Sequence, residues 1–297
     1  MRIALLLSVL LPLLLGGCNQ SPFGLKHEIH GNTVTITGCD EDASGELVIP
    51  DTIKGKTVTA IGQDSFKRCV GLTSITIPDG VTRIGESAFE SCNRLTSVTI
   101  GDSVASIGKS AFESCNRLTS VTIGDSVASI GHSAFRGCAR LRSITIPDSV
   151  TSIGGWAFRH AGLTSITIPD SVTSIGDSAF YLCRSLTSVT IGNGVTSIGN
   201  FAFYNCTRLT SLTIGYSVAN IGRVEPVTRR TRRRPPIIGS VFGSCPSLTS
   251  ITFLGDAPNV AANPFPKASP TIYRKPEARG WGDTFAGRPV KLISEKP

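Results

Sequence analysis

LTSITIPDSVTSIGDSAFYLCRS, residues 163–185, is one copy of a unit that recurs along most of this chain. Aligned on the first leucine, copies start at Leu72, Leu95, Leu118, Leu141, Leu163, Leu186, Leu209 and Leu248, at steps of 23, 23, 23, 22, 23, 23 and 39. Each position in the unit has a physical task. Ile166 and Ile168 are two apart, so in a strand they face one side, inward, while Ser165 and Thr167 face solvent. Pro169 lacks an N–H and Asp170 bonds its own backbone readily, so the strand ends there. Val172 and Ile175 return apolar groups to the core from a second extended piece. Gly176 permits a tight corner, and Ala179-Phe180 is expected to open a helical or 3₁₀ turn that closes the coil.

Units of this length, each too small to bury its own apolar face, must stack on one another. The period and its apolar spacing predict a leucine-rich-repeat solenoid. The expected form is β-rich, a right-handed coil of α/β type with one strand plus a short helical or 3₁₀ turn per repeat, closed by N- and C-terminal caps. Two columns support the stack. Phe66, Phe89, Phe112, Phe135, Phe158, Phe180, Phe203 and Phe242 recur in phase, eight of the thirteen phenylalanines. Their phase with Ala and Ile marks a buried spine, each ring worth about 1.5–3 kcal/mol of burial. Seven of nine cysteines recur three residues before the leucine: Cys69, Cys92, Cys115, Cys138, Cys183, Cys206 and Cys245. Coils stacked about 4.7–4.9 Å apart hold equivalent Cβ atoms slightly beyond disulfide reach, so this column reads as buried free thiols. His160 is expected to take the cysteine position in the shortened unit.

The ends differ from the repeats. Met1-Arg2 followed by the apolar run Ile3–Leu15 has the form of a secretory signal peptide, too short to span a bilayer. Leu15-Gly16-Gly17-Cys18 then resembles a bacterial lipobox, which implies diacylglycerol on Cys18 as lipid attachment site and cleavage before it; the alternative is an ordinary signal peptide cut nearby. Several acyl chains hold a protein to a membrane, each buried CH₂ adding about 0.8 kcal/mol. The organisation read from the chain is a signal peptide over 1–17, a lipidated tether over 18–31 and an N-terminal cap with a first partial repeat over 32–71. Repeats then fill 72–254, and a C-terminal cap fills 255–297. Trp281 is expected to cover the last apolar face, with ligand binding as its other possible use.

Net charge is +8 with only 17% charged residues, and one stretch dominates it: six arginines and one glutamate lie between Arg223 and Arg234. The balance therefore says nothing of nucleic acid at the repeat body. This stretch sits in the long step, inserted over 223–238. Arg229, Arg230, Arg232, Arg233 and Arg234, followed by Pro235-Pro236, cannot join an apolar core and are expected to project as a loop. Such a loop is either a tolerated insertion, since lengthening costs little, or a contact for anionic partners such as sulfated glycans or headgroups.

The candidate binding residues are the outward Ser-x-Thr pairs, above all Ser120, Thr122, Ser143, Thr145, Ser165, Thr167, Ser188 and Thr190. Three readings stay open for them. They are soluble residues that favour strands, or a hydroxyl lattice for a protein or glycan, or a water-ordering, ice-type face. A catalytic site would need a nucleophile with its base, paired carboxylates or a metal centre, and none converges here. Asp79, Asp102, Asp125, Asp148 and Asp170 recur as turn formers, and every repeated glycine belongs to a corner rather than a phosphate loop. The expectation is no enzyme, no cofactor, no metal and no nucleic-acid partner.

The pattern L-x-x-I-x-I-P-x-x-V-x-x-I-G-x-x-A-F-x-x-C, from about Val34 to Phe253, is similar to the BspA-like leucine-rich-repeat family of bacterial surface proteins. The resemblance implies an adhesin-type surface lipoprotein whose repeats meet host or matrix proteins or neighbouring cells; with the hydroxyl face and the lipobox, the expectation is an exported protein held at an outer membrane or cell surface, with a protein or glycan as partner. A structural surface protein or, least favoured, a scaffold for a periplasmic enzyme are the alternatives. The lipobox reading has a direct test. Cys18→Ala should accumulate as an unprocessed precursor or leave the membrane; a variant found membrane-bound at mature size by fractionation would refute lipidation.

Overall fold

The computed structural model describes residues 23–40, 42–222, 240–260 and 263–296. The signal peptide, Cys18 and the arginine insert, including Arg229 to Arg234, lie outside the described residues. The chain winds as a β-solenoid of about ten turns with almost no helix. Most units supply one strand of three to six residues, such as Leu72–Ile77 or Ser188–Ile191, and one of two residues, such as Ser197–Ile198. The two-residue strands pair in parallel and in register, Ser129 with Ser106 and Ser152, then onward to Asn259–Val260. Inward Ile and Val side chains from both faces merge into one continuous core.

The third side of the coil departs from the expected helical turn. After the corner glycine, alternate amides close tight local turns or reach the following coil. Glu90 N donates to Ser87 O at 3.1 Å, whereas Ser87, Phe89 and Ser91 donate to Lys109, Ala111 and Glu113 of the next coil at 2.7–2.8 Å. The residues that make this alternation possible are left-handed: Ser87 has φ 53° and Ser91 φ 62°, with the same pattern at Ser110 and Ser114. A left-handed residue at every fourth step interrupts a helix, and serine tolerates it better than branched or bulky side chains do. The closing segment is therefore a third hydrogen-bonded ladder, and the coil is all-β with turns. One 3₁₀ turn, Ile293–Glu295, is assigned among the described residues.

Stacking is close enough to dictate residue types. A Cβ on Gly108 would lie 2.5 Å from the carbonyl oxygen of Gly85, so the corner glycine is required by backbone approach between coils. The phenylalanines form a stack with centroids 5.0 Å apart at Phe66–Phe89 and 5.9 Å at Phe203–Phe242, rings within 8° of parallel. Phe265 adds a further ring at 5.6 Å. The array thus continues past residue 254, and Thr271–Arg274 pairs in register with Ser250–Phe253. Trp281 lies over Phe253 at 4.9 Å and donates Nε1–H to Gly255 O at 3.2 Å. At the other end Lys26–His30, expected within the tether, forms an antiparallel hairpin with Thr33–Gly38.

One reading needs correction at the shortened unit. Ala161, not His160, takes the cysteine position: its amide donates to Phe158 O at 2.9 Å, as Cys69 N does to Phe66 O, and it is buried. His160 is exposed in the left-handed position before it, at φ 60°. The missing residue falls in the link to Leu163. Removing a stacked ring should leave a cavity the neighbouring coils cannot fill. Phe158→Ala is expected to cost about 3–5 kcal/mol in urea unfolding; a loss below about 1 kcal/mol would show that the stack is not the spine.

Candidate binding surface

Two kinds of threonine line the strand side. The one directly after the repeat leucine is structural, because its hydroxyl donates to the backbone of the coil before it. Thr96 bonds Thr73 O at 2.9 Å, Thr119 bonds Thr96 O at 3.0 Å, and Thr187 and Thr210 repeat the contact at 2.9 and 3.0 Å. The outward pairs behave differently. Ser120, Thr122, Ser143, Thr145, Ser165, Thr167, Ser188 and Thr190 are all exposed. Among the described residues the chain gives none of their eight hydroxyls an internal partner. Register aligns them, Ser165 with Ser188 and Thr167 with Thr190, and Ser120 with Ser97 and Thr122 with Thr99.

The lattice is interrupted. The face divides into a four-stranded sheet ending at Ser120–Thr122 and a seven-stranded sheet starting at Ser165–Ile168. Between them residues 141–147 form no strand, so Ser143 and Thr145 sit on an unpaired coil rather than in a continuous sheet. The sequence difference at this point is Arg142, which stands where the other units place the clamping threonine. Its guanidinium reaches forward to Gly162 O at 3.3 Å and Ser185 Oγ at 3.2 Å, leaving the backward clamp unmade. The core opens slightly with it. Val121, Ile123, Ile144 and Ile146 are 6–9% exposed, against 1–2% for Val98, Ile100, Val189 and Ile191.

The turn side carries a feature that the repeat pattern concealed. The position two before phenylalanine is serine in most units, but Trp156 and Phe201 occupy it with φ 60° and 56°. Bulky residues are costly there, about 1–3 kcal/mol each. The position after phenylalanine runs Lys67, Glu90, Glu113, Arg136, Arg159, Tyr181, Tyr204. Arg159 lies between the Trp156 and Tyr181 rings at 5.0 and 5.1 Å, Arg136 lies over Trp156 at 5.3 Å, and Tyr181 stacks on Tyr204 at 5.4 Å. His132 adds a tilted contact to Trp156 at 5.5 Å. Trp156 is 37% exposed. The only sequence signal for this band was the break in the serine column.

The remaining polar residues are structural. Asp79 and Asp170 accept backbone N–H from Asp102 and Asn193 of the next coil at 2.8 and 2.6 Å, so the turn aspartates also tie coils together. The cysteines donate to phenylalanine carbonyls one coil back: Cys92 to Phe66 at 3.0 Å, Cys115 to Phe89 at 3.1 Å, Cys183 to Phe158 at 3.0 Å. Burial pushes these thiols up, Cys183 to about 12. No group of His, Cys, Asp and Glu fit to hold a metal occurs among the described residues. Nor is any helix there long and apolar enough to cross a membrane.

A family model described as BspA type leucine-rich repeat region matches in six copies, over residues 48–161 and 106–224, more than half of the chain. This chain belongs to the BspA-type leucine-rich-repeat family. Among solved structures, it is similar to a leucine-rich cell surface protein of Faecalibacterium prausnitzii A2-165, at 24% identity over 92% of this chain and 94% of that one, TM-score 0.45. The T. pallidum leucine-rich-repeat protein aligns at 20% identity over 83% of each chain, TM-score 0.38. A leucine-rich-repeat protein of Bacteroides ovatus aligns at 22% identity over 91% of this chain and 98% of that one, TM-score 0.32. Among curated proteins, none matches.

The arginines around the aromatic band act on His160. Although its side chain is exposed, the protein packed around the imidazole partly strips it of water and lowers its pKa from the ordinary 6.5, and Arg159, Arg184 and Arg136 push the same way. The folded BspA-type chain therefore holds the neutral imidazole to lower pH than the unfolded chain does. Stability from this source is complete above about pH 6.5 and is lost as pH falls from there through the folded pKa. His160→Asn should flatten that part of the profile, measured as urea midpoints between about pH 7 and about pH 5. An unchanged slope would assign it to another group.

Proposed function

We propose that this BspA-type protein is a non-catalytic surface binding protein, exported and held to a membrane by lipid on Cys18, which presents its exposed hydroxyl columns to a protein or glycan. The observation that carries the reading is the division between the two kinds of threonine. Those after the leucine from Thr96 onward are consumed by coil-to-coil bonds, whereas among the described residues Thr122, Thr145, Thr167 and Thr190 have hydroxyls without an internal partner, on either side of the break and within it. A repeating donor–acceptor lattice suits a ligand with repeating polar groups, such as an extended backbone or a glycan chain. The interruption at 141–147 counts against a water-ordering face, which needs an unbroken flat array.

A second reading has its own observation. Tryptophan, tyrosine and arginine are the residue types that dominate binding energy at protein interfaces, and Trp156, Arg159 and Tyr181 cluster on the turn side despite an unfavourable backbone at Trp156. The Arg229–Arg234 stretch, as an anion contact, would be a third.

Affinity for a panel of matrix proteins and sulfated or neutral glycans separates these readings. Thr167→Lys with Thr190→Lys should weaken binding at least tenfold, about 1.4 kcal/mol, while changing stability by no more than about 0.5 kcal/mol. If instead Trp156→Ser abolishes binding and the threonine changes are silent, the turn side is the interface. Binding lost on deletion of 229–234 and on raising salt would place it in the arginine stretch.

A further inference from the structure

The cysteine column has one irregular member. Its thiols at Cys92, Cys115, Cys138, Cys183, Cys206 and Cys245 are buried and donate to a phenylalanine carbonyl one coil back. Cys69 heads the column, and the stacked phenylalanines begin only at Phe66, so no earlier ring of the stack supplies it with a carbonyl. Its sulfur instead lies 3.0 Å from Sγ of Cys39, 30 residues upstream. Cys39 follows the Thr33–Gly38 strand of the N-terminal hairpin and is 7% exposed, whereas Cys69 is partly open to solvent. Closing the gap to the ~2.05 Å of a covalent S–S bond needs about 1 Å of movement shared by two side chains. The argument that keeps the other thiols apart does not reach this pair, since the two are not equivalent positions of successive units.

We propose that Cys39 and Cys69 are joined by a disulfide in the exported protein, clipping the N-terminal hairpin to the first full coil. The inference goes beyond the binding role and takes from it only the oxidising surroundings of an exported chain. The asymmetry of the pair sets the order of events. Cys69 is partly open to solvent and meets an oxidant first, while Cys39 is buried beside it with its sulfur 3.0 Å away. The oxidant is a disulfide, either of a small thiol or of a thiol oxidoreductase. The Cys69 thiolate attacks one of its sulfurs, that S–S bond breaks, and the first thiolate leaves and takes a proton. Cys39 then loses its proton and attacks Sγ of Cys69. The mixed bond breaks and the second thiolate leaves with that proton. Two protein thiols are oxidised and one external disulfide is reduced to two thiols.

The test uses the full chain, recovered from cells that export it, before and after incubation with oxidised glutathione. Free thiols are alkylated, and the protein is cut with trypsin without reductant and mapped by mass spectrometry. Lys54, Lys56, Lys67 and Arg68 lie between the two cysteines, so the bond appears as one cross-linked pair of peptides that reductant separates. It is expected in both samples, with the buried column alkylated only after denaturation. Free Cys39 and Cys69 in both samples overturn the proposal. A cross-link seen only after glutathione overturns the proposal for the cell, because the pair can then bond but stays reduced in the surroundings that the exported chain meets. A second measurement covers variants that fold poorly. Reductant should speed tryptic loss of the hairpin several-fold in the wild type and have no effect in Cys39→Ser or Cys69→Ser; a wild-type rate indifferent to reductant contradicts the clip.

Discussion

Everything in this molecule follows from parallel, in-register stacking of one coil on the next. At a strand separation of about 4.7–4.9 Å, a side chain's nearest neighbour is its own counterpart in the adjoining unit. A column can therefore hold only residues that tolerate their own kind. Phenylalanine does so by stacking, serine and threonine by bonding the neighbour's backbone, and cysteine by donating to the carbonyl one coil back. Charged residues cannot do so directly, and their columns show it. Glu86 meets Lys109 at 2.6 Å, Lys67 meets Glu90 at 3.1 Å, and Glu113 meets Arg136 at 3.0 Å, three opposite-sign contacts between adjoining coils, although Glu90 precedes Glu113 and Arg136 precedes Arg159 in the same column. The aspartate column keeps one sign but spends it on amides of the following coil.

Column logic explains what the sequence made legible. The core leucines, isoleucines and phenylalanines could be assigned because each was written eight times in phase, and one misread unit would not have moved the others. The closing turn was not legible, because Ala-Phe is compatible with a helix and the left-handed serines announce themselves only weakly. His160 was misplaced because a one-residue deletion leaves two alignments open, and only the amide of Ala161 on Phe158 O decides between them. Phe265 was missed for the related reason that the last coils keep the geometry but lose the spacing.

The candidate surface was legible in outline and not in detail. Alternation placed the eight hydroxyls outside, and they are outside. Their continuity was a different matter, because pairing is a property of two coils and Arg142-Ser-Ile-Thr-Ile146 fits the strand pattern perfectly well by itself. What fails is the neighbouring clamp, a contact carried by a single threonine in the other units from Thr96 onward. The same limit hid the aromatic band. Trp156 belongs to one column and Arg159 and Tyr181 to another, across two coils, and their convergence depends on how turns overlie one another.

A ladder in which every rung serves the next leaves its first and last rungs unserved, and there the chemistry is free to change. The phenylalanine stack resolves its far end by recruiting Phe265 from outside the regular spacing, and the strand sheet by recruiting Thr271–Arg274. The turn-aspartate bonds extend the same way, with Asp256 accepting from Arg279 N at 2.6 Å. The thiol column faces the same problem at its start. Its bond is a weak one, S–H to carbonyl, and without a carbonyl the leading sulfur has little to lose by taking another partner. Cys39 is that partner. The arrangement exchanges a weak inter-coil contact of the repeat for a pair of thiols outside the repeat register that can become covalent. It does so at the end of the solenoid, where fraying begins and where neighbouring coils can restrain the chain from one side only.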